Sequence, residues 1–296
     1  MQTAVLVVNP FATRVTEQKL EEVERVLSRV AHLTVVRTER PRHASELVAS
    51  ACRDGAQAIV VFSGDGGFNE ALNGLEGDTP IAFLPGGGTS VLPRALGLPH
   101  DPVAAARQVA EALELKRTRR ITVGRVNDRR FAFSAGLGLD AAAVRRVDEM
   151  GRARDGKRPG DMAFALAIVR ALAAERGHLE PTLEVKGFGR AASAFVANAY
   201  PYSYAKGLPL RIAPEADFEL GLDMVALVRV RRRSLLGTAY NVLTGHPRGG
   251  MLYAHDADRI EIVCDRPMPL HVDGEDPGDV DAATFEAERG AVTVLA

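Results

Sequence analysis

The stretch Ser63-Gly64-Asp65-Gly66-Gly67-Phe68-Asn69-Glu70-Ala71-Leu72-Asn73-Gly74 constrains this chain more than any other. Just before it, Ala58-Ile59-Val60-Val61-Phe62 is a short apolar, largely β-branched run, the pattern of a strand buried on both faces. From Glu70 onward the residues can open a helix. A glycine-rich turn between a strand end and a helix start aims backbone N–H groups and the positive end of a helix at its occupant, which is usually phosphate. Asp65 puts a carboxylate inside that cradle. An acid and a phosphate repel unless a cation lies between them, so the turn predicts a nucleotide with Mg²⁺. Read alone, the same string also suits a tight turn that needs glycine only for backbone freedom.

The neighbouring segments repeat the arrangement. Residues 4–8 form a buried strand closed by Asn9-Pro10, a polar loop signal. Residues 16–30 carry Leu20, Val23, Val26, Leu27 and Val30 at helical spacing. A strand at 33–37 ends at Thr38, and a helix follows at 44–54. A strand at 81–84 runs into Pro85-Gly86-Gly87-Gly88-Thr89, a second glycine-rich turn, and residues 103–115 are helical again. Strands alternating with helices predict a parallel sheet. Asn9, Thr38 and the two glycine turns then sit at the strand ends along one sheet edge, where open α/β sheets bind ligands.

From about residue 121 the texture changes. Strands at 121–126 and 129–134 are joined by the tight turn Asn127-Asp128, and a glycine-containing segment, 135–141, ends in Asp140 and Ala141. A basic segment follows, with Arg145, Arg146, Arg152, Arg154, Lys157 and Arg158, then an amphipathic helix at 161–176. Short strands are predicted at 182–185, 192–197, 224–229, 259–264, 268–272 and 292–295. Many short strands separated by turns indicate a β-sandwich. The expected organisation is an α/β domain over residues 1–121 and a mainly β domain over 122–296, with the last residues packing back toward the first domain.

Composition narrows the function classes. The 296 residues suit one large or two ordinary domains, and a net charge of −1 gives no global field favouring nucleic acid. Two cysteines, Cys52 and Cys264, make neither a disulfide framework nor a metal cluster and suit a reducing cytoplasm. The N-terminus reads as a strand and lacks the basic flank of a signal peptide. The longest apolar helical stretch, residues 162–174, is broken by Arg170 and too short to span a bilayer, so membrane contact is expected to be peripheral. Arg229 with Arg231, Arg232 and Arg233 forms a basic cluster that suits an anionic membrane surface or a solvated strand end. Tyr200, Tyr202 and Tyr204 alternate near the β domain.

Taken together, these motifs resemble the diacylglycerol kinase catalytic-domain family, which includes bacterial lipid kinases, eukaryotic diacylglycerol kinases and sphingosine kinases. The resemblance rests on Asn9-Pro10, Ser63-Gly64-Asp65-Gly66 with Asn69-Glu70 and Asn73-Gly74, and Pro85 to Thr89 with Ala95-Leu96-Gly97-Leu98-Pro99. It continues through Ser134-Ala135-Gly136-Leu137-Gly138-Leu139-Asp140-Ala141 and His271-Val272-Asp273-Gly274-Glu275. It implies a two-domain kinase with an NAD kinase- or phosphofructokinase-like α/β domain for ATP, a β-sandwich for the lipid, and an active site in the cleft. By position, Asn9, Thr38, Ser63, Gly64, Asp65, Gly66, Gly67, Asn69, Glu70, Gly88, Thr89 and Arg158 are the nucleotide residues. Asp65, Asp273 and Glu275 are the catalytic carboxylates, with the base either in the glycine turn or in the late motif. Asp140 resembles the acid that contacts the substrate headgroup. Asp65 is expected to reach Mg²⁺, and Asp217 resembles one ligand of a structural Mg²⁺.

The expected reaction is transfer of the γ-phosphate of ATP to a lipid hydroxyl, diacylglycerol first. A long-chain base kinase and a nucleotide- or lipid-binding regulator are the alternatives. A homodimer through the sandwich domain is a further expectation. This chain departs from the family in three places. Gly67 stands where Thr is usual, Ser90-Val91-Leu92 replaces a polar triplet, and Leu220 occupies the second acidic position of the structural Mg²⁺ segment.

Overall fold

A computed structural model describes residues 1–151, 179–201, 204–205, 208–209, 212–229 and 250–296. Arg152, Arg154, Lys157, Arg158, the expected helix at 161–176, Tyr202 and the arginines 231–233 lie outside these residues. The chain divides into two compact units, Met1–Thr122 with Gly290–Ala296, and Val123–Arg289.

In the first unit the elements are β1 (Gln2–Val8), α1 (Glu17–Leu27), β2 (Ala31–Arg37), α2 (His43–Arg53), β3 (Ala58–Ser63), α3 (Asp65–Gly74), β4 (Ile81–Pro85), α4 (Val91–Ala95) and α5 (Pro102–Leu115). The strands pair in parallel in the order β4-β3-β1-β2. β3 is buried along its whole length, as its unbroken apolar sequence requires. The N-termini of α1 and α5 are fixed by side-chain caps. Thr16 accepts the Lys19 N–H, and Asp101 accepts the Ala104 N–H with Pro102 beside it. Leu20, Val23 and Leu27 of α1 and Val103, Ala106, Val109 and Leu113 of α5 cover the sheet face made by Leu6, Val8, Val60, Phe62 and Leu84. Phe68 of α3 meets Phe83 of β4 edge-on, with ring centroids 5.3 Å apart. The chain leaves β1 toward β2 and leaves β3 toward β4, on opposite sides. The strand order therefore reverses between β1 and β3, and their carboxyl ends form the switch point of the sheet.

β5 (Thr118–Val126) leads from the first unit into the second and β16 (Glu275–Leu295) leads back; the second unit also holds β6 (Arg129–Phe131), β7 (Ser134–Leu137), α6 (Leu139–Gly151), β8 (Leu183–Val185), β9 (Gly189–Ala191), β10 (Ser193–Ala197), β11 (Tyr204–Ala205), β12 (Leu208–Pro209), β13 (Leu222–Leu227), β14 (Met251–Ala257) and β15 (Arg259–Val272). The chain enters along β5 and returns to the first unit along β16, where Val294 pairs in parallel with Ile81. The pairing in the β unit is antiparallel, in the order β14-β13-β10-β7-β15-β16. Besides β16, β15 pairs with β8 through Ile262–Cys264 and with β7 through Leu270–Val272. Phe131 and Phe285 meet edge-on at its core, 6.4 Å between centroids.

Several segments differ from the sequence reading, among them α3, which starts at Asp65 and not at Glu70, and β14, which was not predicted. The described part of the basic segment, with Arg145 and Arg146, is helical in α6. The strands read at 259–264 and 268–272 are one strand, β15, with a register shift between Val263 and Met268. Residues 275–291, rich in Asp, Glu and Gly, extend the predicted terminal strand into β16. Pairing with β15 supplies what local propensity does not. Among the described residues, no helix is long and apolar enough to cross a membrane.

Candidate functional site

Two groups of predicted residues are assembled, one in each unit. In the first unit they sit at the switch point. The Asn9 N–H donates to the Phe62 carbonyl at 3.0 Å, and Asn9 Oδ1 accepts the Phe11 N–H at 3.0 Å, which ties the loop after β1 to the end of β3. Thr38 is buried, and its N–H donates to the Val8 carbonyl at 2.8 Å. Gly64 is the N-cap of α3, Asp65 its first residue, and Gly66 and Gly67 complete the first turn.

The two glycine turns meet backbone to backbone. The Gly86 N–H donates to the Ser63 carbonyl at 2.7 Å, and a Cβ on Gly87 would lie 3.0 Å from the Cα of Gly64. Gly87 N–H and C=O both bond the hydroxyl of the buried Ser90. Gly88 is exposed and Thr89 partly exposed beside them. Asp65 accepts the Leu92 N–H over a long 3.4 Å.

The departure at position 67 now has a physical reason. A Cβ on Gly67 would lie 2.0 Å from Ser63 Oγ and 2.9 Å from Ser63 Cβ. The serine hydroxyl occupies the space that a side chain at position 67 would take. Ser63 is 1% exposed, and its hydroxyl has no hydrogen-bond partner among the described residues. A buried orphan hydroxyl is costly, and a phosphate oxygen would satisfy it. This orphan, the glycine-walled cradle and the carboxylate at the helix start together fit a phosphate group carrying a divalent cation.

Glu70 serves elsewhere. Its carboxylate accepts the N–H groups of Arg42 at 2.9 Å and Ala44 at 3.4 Å, capping α2, whose own N-cap residue Arg42 makes no side-chain cap bond. The buried Asn69 receives the Asn73 amide at its carbonyl, 2.8 Å away. Sequence reasoning missed a basic group around the second turn. The Arg14 N–H donates to the Gly86 carbonyl at 2.8 Å, and its guanidinium reaches His100 Nε2 at 2.6 Å. Burial, then the charges of Arg14, Arg94 and Lys19, hold the His100 imidazole below its ordinary range. The only sequence signal was Arg14 lying in the loop after Asn9-Pro10.

The second group is built on the β15–β16 hairpin. Val272 faces Glu275, and Asp273 and Gly274 both take left-handed backbone, φ 48° and 75°, as a two-residue hairpin turn of primed type requires. Asp273 is 2% exposed. Its carboxylate accepts three backbone N–H bonds, from Ala132 at 2.7 Å, Phe133 at 3.0 Å and Ser134 at 3.1 Å. Glu275 pairs with Arg129 at 2.5 Å, with about a third of each side chain exposed. Asp140, in the first turn of α6, bonds His271 Nε2 at 2.5 Å.

The remaining predicted residues have other partners. Arg145, of the basic segment, is tied to Asp276 and Asp279. Arg229 pairs with Glu180 at 2.7 Å. Asp217 is exposed, and its Oδ1 accepts the Glu219 N–H in a local turn. Among the described residues, no group of three or more His, Cys, Asp or Glu is arranged to hold a metal ion.

Comparison with known proteins agrees with this architecture. Residues 3–126 match the diacylglycerol kinase catalytic domain, and residues 134–296 match the YegS C-terminal NAD kinase beta sandwich-like domain. The diacylglycerol kinase of Bacillus subtilis (strain 168) is 24% identical over 292 residues, covering 93% of this chain and 90% of that protein. A crystal structure of a diacylglycerol kinase from Bacillus anthracis str. Sterne superposes with a TM-score of 0.72 at 20% identity, covering 99% of this chain and 96% of that one. An NAD kinase from Archaeoglobus fulgidus, solved in complex with ATP, superposes with a TM-score of 0.54 at 13% identity, over 99% and 94% of the two chains. The class is thus a kinase with an NAD kinase-like α/β unit and a β-sandwich-like unit. Within it, the chain belongs to the diacylglycerol kinase catalytic-domain family of lipid kinases.

Proposed function

We propose that the protein transfers the γ-phosphate of ATP to a lipid hydroxyl, with diacylglycerol as the acceptor and phosphatidic acid as the product. The observation that carries this reading is the glycine-walled cradle at the start of α3, with the orphan Ser63 hydroxyl and Asp65 inside it. Backbone N–H groups of the first turn of α3, the Ser63 hydroxyl and the basic group around Arg14 hold the phosphates. Asp65 would hold Mg²⁺, which supplies charge neutralisation on the transferring phosphoryl group when bound. Asp217 would contribute at most a peripheral ion, because its carboxylate serves a local turn.

In the acceptor unit, Asp140 receives the headgroup. Asp273 holds the loop at 132–134 in place and is a positioning residue. Its carboxylate oxygens are already engaged by three backbone N–H groups. Glu275 is then the carboxylate that accepts the hydroxyl proton, with Arg129 orienting it. The acceptor oxygen forms a bond to the γ-phosphorus, the bond to the bridging oxygen breaks, and ADP leaves with that electron pair. The acceptor is reached from a membrane surface by peripheral contact.

The test is incubation with γ-labelled ATP, Mg²⁺ and mixed micelles of diacylglycerol, monoacylglycerol or sphingosine. Label in phosphatidic acid supports the reading. Label confined to sphingosine moves the protein to the long-chain base kinases. ATP binding with no label in any lipid overturns the reading in favour of a regulator.

A further inference from the structure

His271 lies on β15 directly opposite Gly136 of β7. It is 1% exposed, so its ring is a buried polar group that must be accounted for. One nitrogen is accounted for: Nε2 lies 2.5 Å from Asp140 Oδ2. The other, Nδ1, is buried and has no hydrogen-bond partner among the described residues. This asymmetry fixes the tautomer. A proton on Nδ1 would leave a buried donor unsatisfied and turn a bare Nε2 toward the carboxylate. The ring that fits carries its proton on Nε2 and donates it to Asp140, leaving Nδ1 as a bare lone pair. Asp140 then faces the ring with an accepting oxygen, in the first turn of α6.

The surrounding backbone makes room for this ring. A Cβ on residue 136 would lie 3.0 Å from His271 Nε2 and 2.9 Å from the Ala194 carbonyl, so only glycine admits the imidazole here. Gly138 has φ 89°, and its N–H donates to the Pro269 carbonyl, while the Leu139 N–H donates to the Ser193 hydroxyl. The turn into α6 is thereby held from both sides, and the histidine holds the one side chain it presents.

We infer that His271 is a positioning residue that fixes the Asp140 carboxylate as a hydrogen-bond acceptor for a headgroup bearing a donor, a hydroxyl or an ammonium. The inference deepens the proposed lipid kinase activity and rests on Asp140 meeting the acceptor. A hydroxyl and an ammonium both satisfy a fixed carboxylate, and they belong to glycerolipids and long-chain bases respectively.

The experiment compares His271→Leu, His271→Gln and Asp140→Asn with the parent protein in mixed micelles of diacylglycerol or sphingosine. His271→Leu raises the KM for the acceptor about tenfold or more and leaves the KM for ATP within about twofold. His271→Gln, whose amide N–H can replace Nε2–H, recovers most of the loss. The double variant His271→Leu/Asp140→Asn is no worse than Asp140→Asn alone. A rise confined to diacylglycerol assigns the hydroxyl, and one confined to sphingosine assigns the ammonium. An unchanged acceptor KM in His271→Leu, or equal values for Leu and Gln, overturns the inference. A second readout does not need turnover. In ¹⁵N-histidine NMR spectra, His271 shows a protonated Nε2 and a bare Nδ1, and Asp140→Asn shifts both signals. A ring protonated on Nδ1 overturns the inference. If the parent protein phosphorylates no lipid, the kinase reading fails while the NMR result still decides the state of His271.

Discussion

The dipeptide Asp-Gly stands in both candidate motifs, and the two copies are put to opposite uses. Asp65-Gly66 follows a strand that passes into a helix. Asp65 takes helical backbone, is partly exposed, and receives a long 3.4 Å bond from Leu92. Asp273-Gly274 follows a strand that turns straight back. Asp273 takes left-handed backbone, is 2% exposed, and receives three N–H bonds between 2.7 and 3.1 Å. A carboxylate filled by short backbone bonds fixes a loop. A partly exposed one at a helix start can be recruited by a cation. The element that follows the dipeptide, strand or helix, decides which of the two it becomes.

The contrast is broken or upheld by the same change at both positions. Asp65→Asn is expected to lower turnover by about 10²–10³-fold, the scale of losing one strong electrostatic group at a reacting phosphate. Its thermal midpoint should stay within about 2 °C, since Asn also suits a helix start. Asp273→Asn is expected to do the reverse in kind. Its amide cannot accept all three N–H groups, which costs about 3 kcal/mol. Calorimetry should then show the β unit melting on the order of 6–12 °C lower. An Asp273→Asn protein with unchanged melting and lost turnover would make Asp273 chemical after all, and the two dipeptides alike.

The glycine turn sharpens the comparison from the other wall. Gly67→Ala is expected to displace the Ser63 hydroxyl, because its Cβ would sit 2.0 Å from that oxygen. The cost is about 1–2 kcal/mol in urea unfolding, and it disappears in a Ser63→Gly background. Ser63→Gly alone should raise the KM for ATP about fivefold, the scale of one hydrogen bond. Ser63→Gly/Gly67→Thr should recover it, since the hydroxyl returns from position 67. A double variant as weak as the single one would show that the two positions do not share one space.

The α/β unit was legible because its strands are continuous apolar runs and its turns carry glycine, so local pattern and tertiary role agree. The chemistry of the individual side chains was less so. Glu70 sits inside the motif, yet it caps α2, a role set by a helix whose N-cap makes no side-chain cap bond of its own. Arg14 and His100 lie 86 positions apart and meet only through the fold. Asp273 reads locally as half of a common turn pair. Its three donors come from residues 139 to 141 positions earlier, so neither its burial nor its bonding has a local signal. β16 was read as strand only at its end, because its first residues are acidic and glycine-rich and depend on distant partners in β15 and β5 for their pairing. α6 was hidden by its charges, two of which, on Arg145 and Asp140, turn inward to partners on the β15–β16 hairpin.

Asp276 supplies the weakest and most specific check, because it lies on the same hairpin as Asp273 but is held by a side chain in place of backbone. Arg145 Nε donates to its Oδ2 at 2.6 Å and Nη2 to its Oδ1 at 3.0 Å. These bonds hold its carboxyl below the ordinary carboxylate value, against an opposing push from burial, with the Gly278 N–H assisting. A depressed folded-state value means that the pair's contribution is complete above the unfolded value of about 4 and is lost as pH falls through the lower folded one. The stability of the β unit should therefore decline more steeply below about pH 4 in the parent protein than in Asp276→Asn. The difference in melting is no more than about 2–4 °C, because both side chains are partly exposed. Identical acid limbs would mean that Arg145 gains as much from Asp279, 2.6 Å away, as from Asp276, and that the hairpin is held at Asp273 alone.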